Sequence, residues 1–461
     1  MNQSVAKRPA GAFTEGPVHR HVMKLSGVMI LGFLSMTIGQ LIEVFYIGQV
    51  GKLELAAIAF TFPITMSLNA LTRGIGIGAS TIIAQAMGEG DRDKTAMTVT
   101  HCYWLVLAFT GSVAVAGQWL ADDFFALLGA RDEVLSLATS YAHIWLIGFP
   151  MMGIAMTSNG MVRSYGNATY PGFIMSSAPL VQVTAGPFLI FGWAGFPALG
   201  LDGAGYAFVC GTVAQMLLVG YWYLIREKLF SPDLHALAQS SRNILRVGIP
   251  AAATNLIQPV SIGVTTWLLA GFGNTVVAGF GVASRIESVV GMVVIGISTA
   301  IVPLVGQNWG ARKFARAYEA MRTCYIACLV WGAMAATIMW LGAPFFVAVI
   351  NSDESLVDVA VMFLYIVPLS IGFLGLINVA THSFNALLQP VPALMLSITR
   401  LVIVYLPLAF IGGQLFGYVG VFAATAITNV TVGVVAVLWN RRAMKKDEAA
   451  KIADDGIVLS P

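Results

Sequence analysis

The sequence predicts an all-α integral membrane protein, with twelve transmembrane helices arranged as two parallel six-helix repeats. Three observations carry this prediction. Of 461 residues, 57% are apolar and 10% charged, with a mean hydropathy of +0.81, whereas a soluble domain carries about 25% charged residues. That excludes an ordinary soluble enzyme, whose surface would need more charge than this chain has. The apolar residues also gather into twelve runs long enough to cross the hydrocarbon, which takes about 20 residues. Finally, a shift of 222 residues lays one half on the other, Gly51 on Gly273.

The runs cover residues 23–48, 54–86, 98–118, 135–160, 171–194, 203–225, 245–270, 276–306, 320–342, 357–383, 391–412 and 418–440. The second and eighth exceed one straight span. Pro63 and the series Gly74, Gly76 and Gly78 predict kinks in the second, or extension past the bilayer. The leading residues hold Lys7, Arg8, Glu15 and Arg20, with no small-residue cleavage site behind a short apolar core. They read as a cytoplasmic tail rather than a secretory signal. The predicted divisions are therefore a tail at 1–22, an N-lobe at 23–225, a linker at 226–244, a C-lobe at 245–440 and a tail at 441–461.

Lys and Arg set the orientation. With both ends cytoplasmic, only Lys52 and Arg131 of the 25 basic residues fall in outer loops, and only Arg73, Arg285 and Arg400 lie within spans away from their inner ends. The rest lie in inner loops and tails or at the inner ends of spans, a strong positive-inside bias that fits a multi-pass protein of the cell inner (plasma) membrane. A net charge of +3 is too weak a bias to point to nucleic acid. The lipid bilayer is the expected environment and a single chain the expected functional unit. Cys102, Cys210, Cys324 and Cys328 all lie in apolar runs, which argues against a disulfide framework.

The repeat runs without a gap from Lys24 to Leu107. Lys24 falls on Arg246, Ala56 on Ala278, Gly74-Ile75 on Gly296-Ile297, Gln85 on Gln307, Gly88 on Gly310 and Cys102-Tyr103 on Cys324-Tyr325. Identities are few, but span ends, outer-loop glycines and inner basic loops coincide. Six spans per half is even, so both halves enter from the same side as parallel repeats. Two such lobes fit a carrier that alternates access, and no charged ring or filter loop points to a channel.

The stretch "GIGIGASTIIAQAMGEGDRDK", the later "SNGMVRSYGNATYP" and the repeat arrangement resemble the multidrug and toxic compound extrusion (MATE) antiporters over roughly residues 20–440. The resemblance implies a MATE-like, V-shaped bundle of two lobes that expels organic, often cationic, compounds in exchange for protons or sodium. Its nearer branch is the proton-coupled, DinF-like one. It implies ion coupling at an acidic residue of the first helix, fifteen residues after a proline. That residue is Glu43 in "QLIEVFYIGQVG", with Val28 at the proline's place and Pro250 at the matching place in the second half. Where the proton-coupled subgroup has an Asn and an Asp, this chain has Gln182 and Gly186 in "LVQVTAGPFLIFG". Gln258 and Gly375 stand where the sodium-coupled subgroup has acids.

Charges inside spans are costly and persist when they face a cavity, find a partner or perform a task. Glu43 should lie about 12 Å below the outer loop at Gly51, with Arg73 much deeper. It therefore lacks an obvious counter-charge, and a carboxyl in such a low-dielectric place can hold a proton near neutral pH. Coupling through Glu43 competes with a structural hydrogen bond there. Met36, Gln40, Glu43 and Ile47 share one helix face, mixed enough to line a substrate cavity. Glu287 and Arg400 reach compatible depths, so a structural pair between them, or one with Arg285, is expected, with direct coupling as the alternative. Asn69, Asn159, Gln182, Asn255, Gln258 and Asn378 are candidate substrate contacts or, individually, inter-helix hydrogen bonds. His382 reads as a polar end residue or a proton relay. Gly88, Gly90 and Asp91 read as a turn and helix cap.

No Walker sequence or HExxH motif is present, so neither ATP-driven pumping nor zinc proteolysis is indicated, and no enzymatic activity or bound cofactor is expected. The function expected from sequence is proton-coupled export of small organic compounds through Glu43. Sodium coupling and flipping of lipid-linked oligosaccharides are the alternatives. A diphosphate headgroup would need several cavity-facing cations, and only three bases lie in spans.

Overall fold

A computed structural model describes residues 11–350 and 354–458 of the chain. Among these residues the secondary structure is helical throughout, and twelve segments of 22 to 38 residues are long and apolar enough to cross a membrane. In hydrocarbon a backbone must bond to itself, and a helix does so within one segment. The first five are α1 (Val18–Val50), α2 (Lys52–Glu89), α3 (Arg92–Leu127), α4 (Asp132–Tyr165) and α5 (Tyr170–Phe191). The sixth combines α6 (Gly200–Gly220) with a π-helical turn, Tyr221–Arg226.

The second half opens with α7 (Leu237–Ala270), followed by α8 (Asn274–Thr299) and α9 (Ile301–Gly310), two pieces of one span broken at Ala300. α10 (Phe314–Ile350) follows. The tenth span consists of α11 (Glu354–Ile366), a 3-10 turn at Val367–Ser370 and α12 (Ile371–Ala386). The eleventh consists of α13 (Pro390–Ile398), a π-helical turn at Thr399–Tyr405 and α14 (Leu406–Phe416). α15 (Tyr418–Val458) is the last.

Three helices run well into the predicted tails and linker. α1 begins inside the expected tail, α7 begins inside the expected linker at Leu237, and α15 continues through the expected C-terminal tail. Hydropathy locates the bilayer, not the helix ends, and a polar helix can continue wherever water or side chains satisfy its groups. The turn after α2 forms as its residues predict. Gly90 takes φ 76° at the end of α2, and the Asp91 side chain caps α3 by accepting from the Lys94 amide at 2.9 Å.

The chain forms two compact units. One comprises Gly11, Ala12 and Val28–Ala252; the other comprises Phe13–Gly27 and the described residues from Ala253 onward. The division falls inside α7 rather than in the 226–244 linker, because the first turns of α7 pack on α2. A Cβ on Gly74 would lie 2.5 Å from the Gly248 carbonyl oxygen, so glycine is required for this backbone approach.

In the first unit α4 packs against α2, α3 and α6. Ile83, Val106, Ile154, Trp222 and Ile244 form one core, and Phe125, Tyr141, Trp145, Phe149 and Ile190 form another. The linker is pinned to α3: the Ser231 amide donates to Thr100 Oγ1 at 3.0 Å, and His101 Nε2 meets the Asp233 carbonyl at 2.8 Å. In the second unit Phe280, Phe363, Tyr405 and Phe422 centre the main core. Residues 13–16 and Asp447 bond to the end of α9, the start of α10 and the turn between them. The Phe13 amide donates to Gln307 Oε1 at 2.9 Å and Lys313 Nζ to the Thr14 carbonyl at 3.0 Å. Arg316 donates to the Gly16 carbonyl at 2.8 Å, and Trp309 Nε1 to Asp447 at 2.6 Å.

Candidate functional site

Glu43 sits seven residues before the end of α1, inside an apolar span. Its side chain shares a hydrogen bond with Gln182 of α5. Both residues line a small cavity of about 10 Å³ with Tyr46, Val183, Gly186 and Ile190, about the room one water molecule needs. The Tyr46 hydroxyl donates to the Val183 carbonyl at 3.4 Å, and its ring meets Phe191 edge-on at 5.9 Å. A Cβ on Gly186 would lie 3.2 Å from that ring, so the bare glycine gives Tyr46 its place. The Tyr141 side chain of α4, largely buried, lies within electrostatic range of Glu43.

Among the described residues the ion pairs within 4.0 Å are Lys94–Glu89 and Arg226–Glu227, neither at this site. The partner of Glu43 is thus a neutral amide rather than a guanidinium. An amide can donate to a carboxylate or accept from a carboxylic acid, so this arrangement accommodates either protonation state.

The second unit holds a different polar group. Glu287 of α8 and Arg400, on the π-helical turn, lie in each other's electrostatic field without a direct ion pair. The expected pair is therefore a charge neighbourhood rather than a salt bridge. Arg400 also senses Tyr405, whose hydroxyl shares a 2.7 Å hydrogen bond with Thr265 of α7. Arg285 is exposed.

The remaining candidates separate. Asn159, expected among the substrate contacts, is 8% exposed and donates to the Pro171 carbonyl at 2.9 Å, so it ties α4 to α5. Gln40 and Gln258 are exposed; Met36, Asn69, Asn255 and Asn378 are half-buried. Asn69 Oδ1 is buried with no hydrogen-bond partner. His382 Nδ1 meets the Asn378 carbonyl one turn back at 2.8 Å. Val28, at the proline's place, packs on Gly172: a Cβ there would lie 2.6 Å from its Cγ1. Sequence reasoning missed Tyr46 and Tyr141. Tyr46 was within reach, because it follows Glu43 by three residues on the same helix face; Tyr141 had no sequence signal. The described residues hold no cluster of three His, Cys, Asp or Glu side chains able to bind a metal ion.

Twelve spans in two similar halves, with ionisable groups held inside the spans of each, define a polytopic membrane protein of the transporter class. The MatE family model matches residues 29–188 and 250–411, and the chain belongs to this family, the MATE transporters. The two matched segments start 221 and end 223 residues apart, bracketing the repeat shift. The FAD transporter of Shewanella oneidensis is 29% identical over 433 residues, covering 92% of this chain and 95% of that protein. The multidrug export protein MepA of Staphylococcus aureus is 24% identical over 434 residues, covering 92% and 94%. Among solved structures, the Vibrio cholerae MATE transporter VcmN in its bent form superimposes with a TM-score of 0.88 at 26% identity, covering 94% of this chain and 98% of that one.

Proposed function

We propose that this protein is a secondary-active antiporter that exports small organic compounds across the cell inner membrane, with both termini cytoplasmic and protons as the coupling ion. The carrying observation is the setting of Glu43, an in-span carboxyl on a water-sized cavity with Gln182 as its hydrogen-bond partner. Protonation of Glu43 from outside favours release of cargo, and loss of that proton inward resets the carrier. Each proton crossing in brings about 2.3 kcal/mol per 100 mV. Sodium is the competing ion. It needs several oxygen ligands, and Glu43 and Gln182 supply few.

The test is dye uptake into inside-out vesicles under an imposed pH gradient, then under a sodium gradient at constant pH. Export driven by the pH gradient alone supports the reading; export that requires sodium overturns the choice of ion. A second reading concerns cargo. The Shewanella oneidensis relative is a FAD transporter, which favours an anionic flavin dinucleotide over organic cations. Uptake of FAD by the same vesicles, in competition with ethidium, separates the two.

A further inference from the structure

Arg73 is the in-span charge that the coupling scheme leaves unused. Glu43 has Gln182, and Glu287 and Arg400 sense each other, while Arg285 of the second unit is exposed. No hydrogen bond or ion pair joins Arg73 to any described residue. It lies near the middle of the 38-residue α2, where the only acids of the helix are Glu54 and Glu89 close to its ends. Its side chain is exposed. That is the setting of a recess wall, since a guanidinium facing hydrocarbon at this depth would be expelled.

The face that carries it is built in the same spirit. Phe62, Met66, Asn69 and Arg73 follow each other at intervals of four, three and four, so they form one stripe about 16 Å long. Phe62 and Met66 are 57% and 40% exposed, and Asn69 Oδ1 is buried without a partner. The stripe thus offers an aromatic face, an adaptable thioether and an unpaired cation in order. A guanidinium binds carboxylate or phosphate in bidentate fashion, while aromatic and thioether groups hold a flat apolar body. An unpaired guanidinium on the path of an organic cation would instead repel it.

We propose that Arg73 is the anion-recognising residue of the transport path, selecting compounds that join an aromatic body to a carboxylate or phosphate. The inference rests on the exporter reading and names its cargo class. Equilibrium binding of carboxyfluorescein and of ethidium to the purified full-length protein in detergent, read by fluorescence polarisation, tests it without coupling. The wild-type protein should bind the anionic dye the tighter. Arg73→Gln should weaken that binding at least about tenfold and leave ethidium within about twofold, and Arg73→Lys should recover part of the loss. Preference of the wild-type protein for ethidium overturns the proposal even if no variant folds. So does unchanged anion binding by Arg73→Gln, or an equal loss for both dyes, which marks a structural role. Failure of the exporter reading shows elsewhere, as absence of gradient-driven uptake by inside-out vesicles in which dye binding is intact.

Discussion

The 222-residue shift that relates the halves places Thr265 where the first half has Glu43, and the two positions hold opposite kinds of polar group. Glu43 is ionisable, shares a hydrogen bond with the neutral Gln182 and borders a water-sized cavity. Thr265 is not ionisable, and its hydroxyl is closed off by Tyr405 at 2.7 Å. The second unit keeps its ionisable acid elsewhere, at Glu287, and there a guanidinium lies in its field. Duplication has thus preserved the helical scaffold while the chemistry at equivalent positions diverged. A carboxyl whose partner suits either protonation state can change charge at modest cost, whereas one facing a cation resists doing so. Under the proposed coupling, the first unit exchanges the proton through Glu43, while the acid of the second unit has a guanidinium in its field.

The sharpest break of that contrast is Glu43→Gln. The amide keeps the shape and the hydrogen bond with Gln182 but carries no proton, so gradient-driven export should fall to the level of empty vesicles. At 100 mV this forfeits about fiftyfold in accumulation ratio, the equivalent of about 2.3 kcal/mol. Thr265→Val, measured in parallel, should leave gradient-driven export in place. Equal losses from both variants would mean that the halves share the coupling task.

Next in size is the charge neighbourhood of the second unit. Glu287→Gln leaves the in-span Arg400 guanidinium without a neighbouring acid and should lower stability by about 1–3 kcal/mol, seen as an earlier thermal transition in detergent. Arg400→Gln should cost a similar amount. The double variant should cost less than the two singles together, because no buried charge is then uncompensated. Strict additivity would show that the two charges do not sense each other.

The scaffold was largely legible in the sequence because its signal is thermodynamic and local. An apolar run of sufficient length has no other satisfactory place, and each of the twelve runs is a span of the structure. Breaks within spans were less legible, because they depend on which backbone bonds the surroundings replace. The π-helical turn at Thr399–Tyr405 precedes Pro407, which has no amide hydrogen for the carbonyl four residues back, yet many helices absorb a proline without such a turn. The ties at the termini were hidden for another reason. Lys313 and Arg316 count in the sequence only among the inner-loop charges that orient the chain, but in the structure they donate to the carbonyls of Thr14 and Gly16, and a carbonyl leaves no mark on sequence. At the candidate site, Glu43 and Gln182 were singled out by residue type. That Tyr141 stands near them depends on how α4 packs, which no short-range pattern encodes.

Two glycines stand where the resemblance places acids, and they extend the comparison to smaller effects. A Cβ on Gly375 of α12 would lie 2.6 Å from Cys328 Cβ, 2.9 Å from its Sγ and 3.0 Å from Val294 Cγ1. Cys328 Cβ is fixed to the backbone of α10, so the two helices must separate to admit a methyl group. Gly375→Ala should therefore cost about 1–2 kcal/mol by overpacking, read as a lowered thermal transition. The same packing leaves no room for a carboxyl at this position.

Gly186 of α5 is the gentler case. A methyl group there meets the Tyr46 ring at 3.2 Å and Ile190 Cδ1 at 3.7 Å, both on side chains rather than backbone. The Tyr46 hydroxyl bond to Val183 is long at 3.4 Å, so little holds the ring against a shift of a few tenths of an ångström. In a helix interior alanine also improves on glycine by about 0.5–1 kcal/mol, which offsets the crowding. Gly186→Ala should thus change stability by less than about 1 kcal/mol and leave gradient-driven export within about threefold of the wild-type rate. A loss of export as deep as that of Glu43→Gln, in a protein whose thermal transition is unmoved, would show that the position of Tyr46 governs proton exchange at Glu43. The tyrosine would then belong to the coupling machinery rather than to its packing.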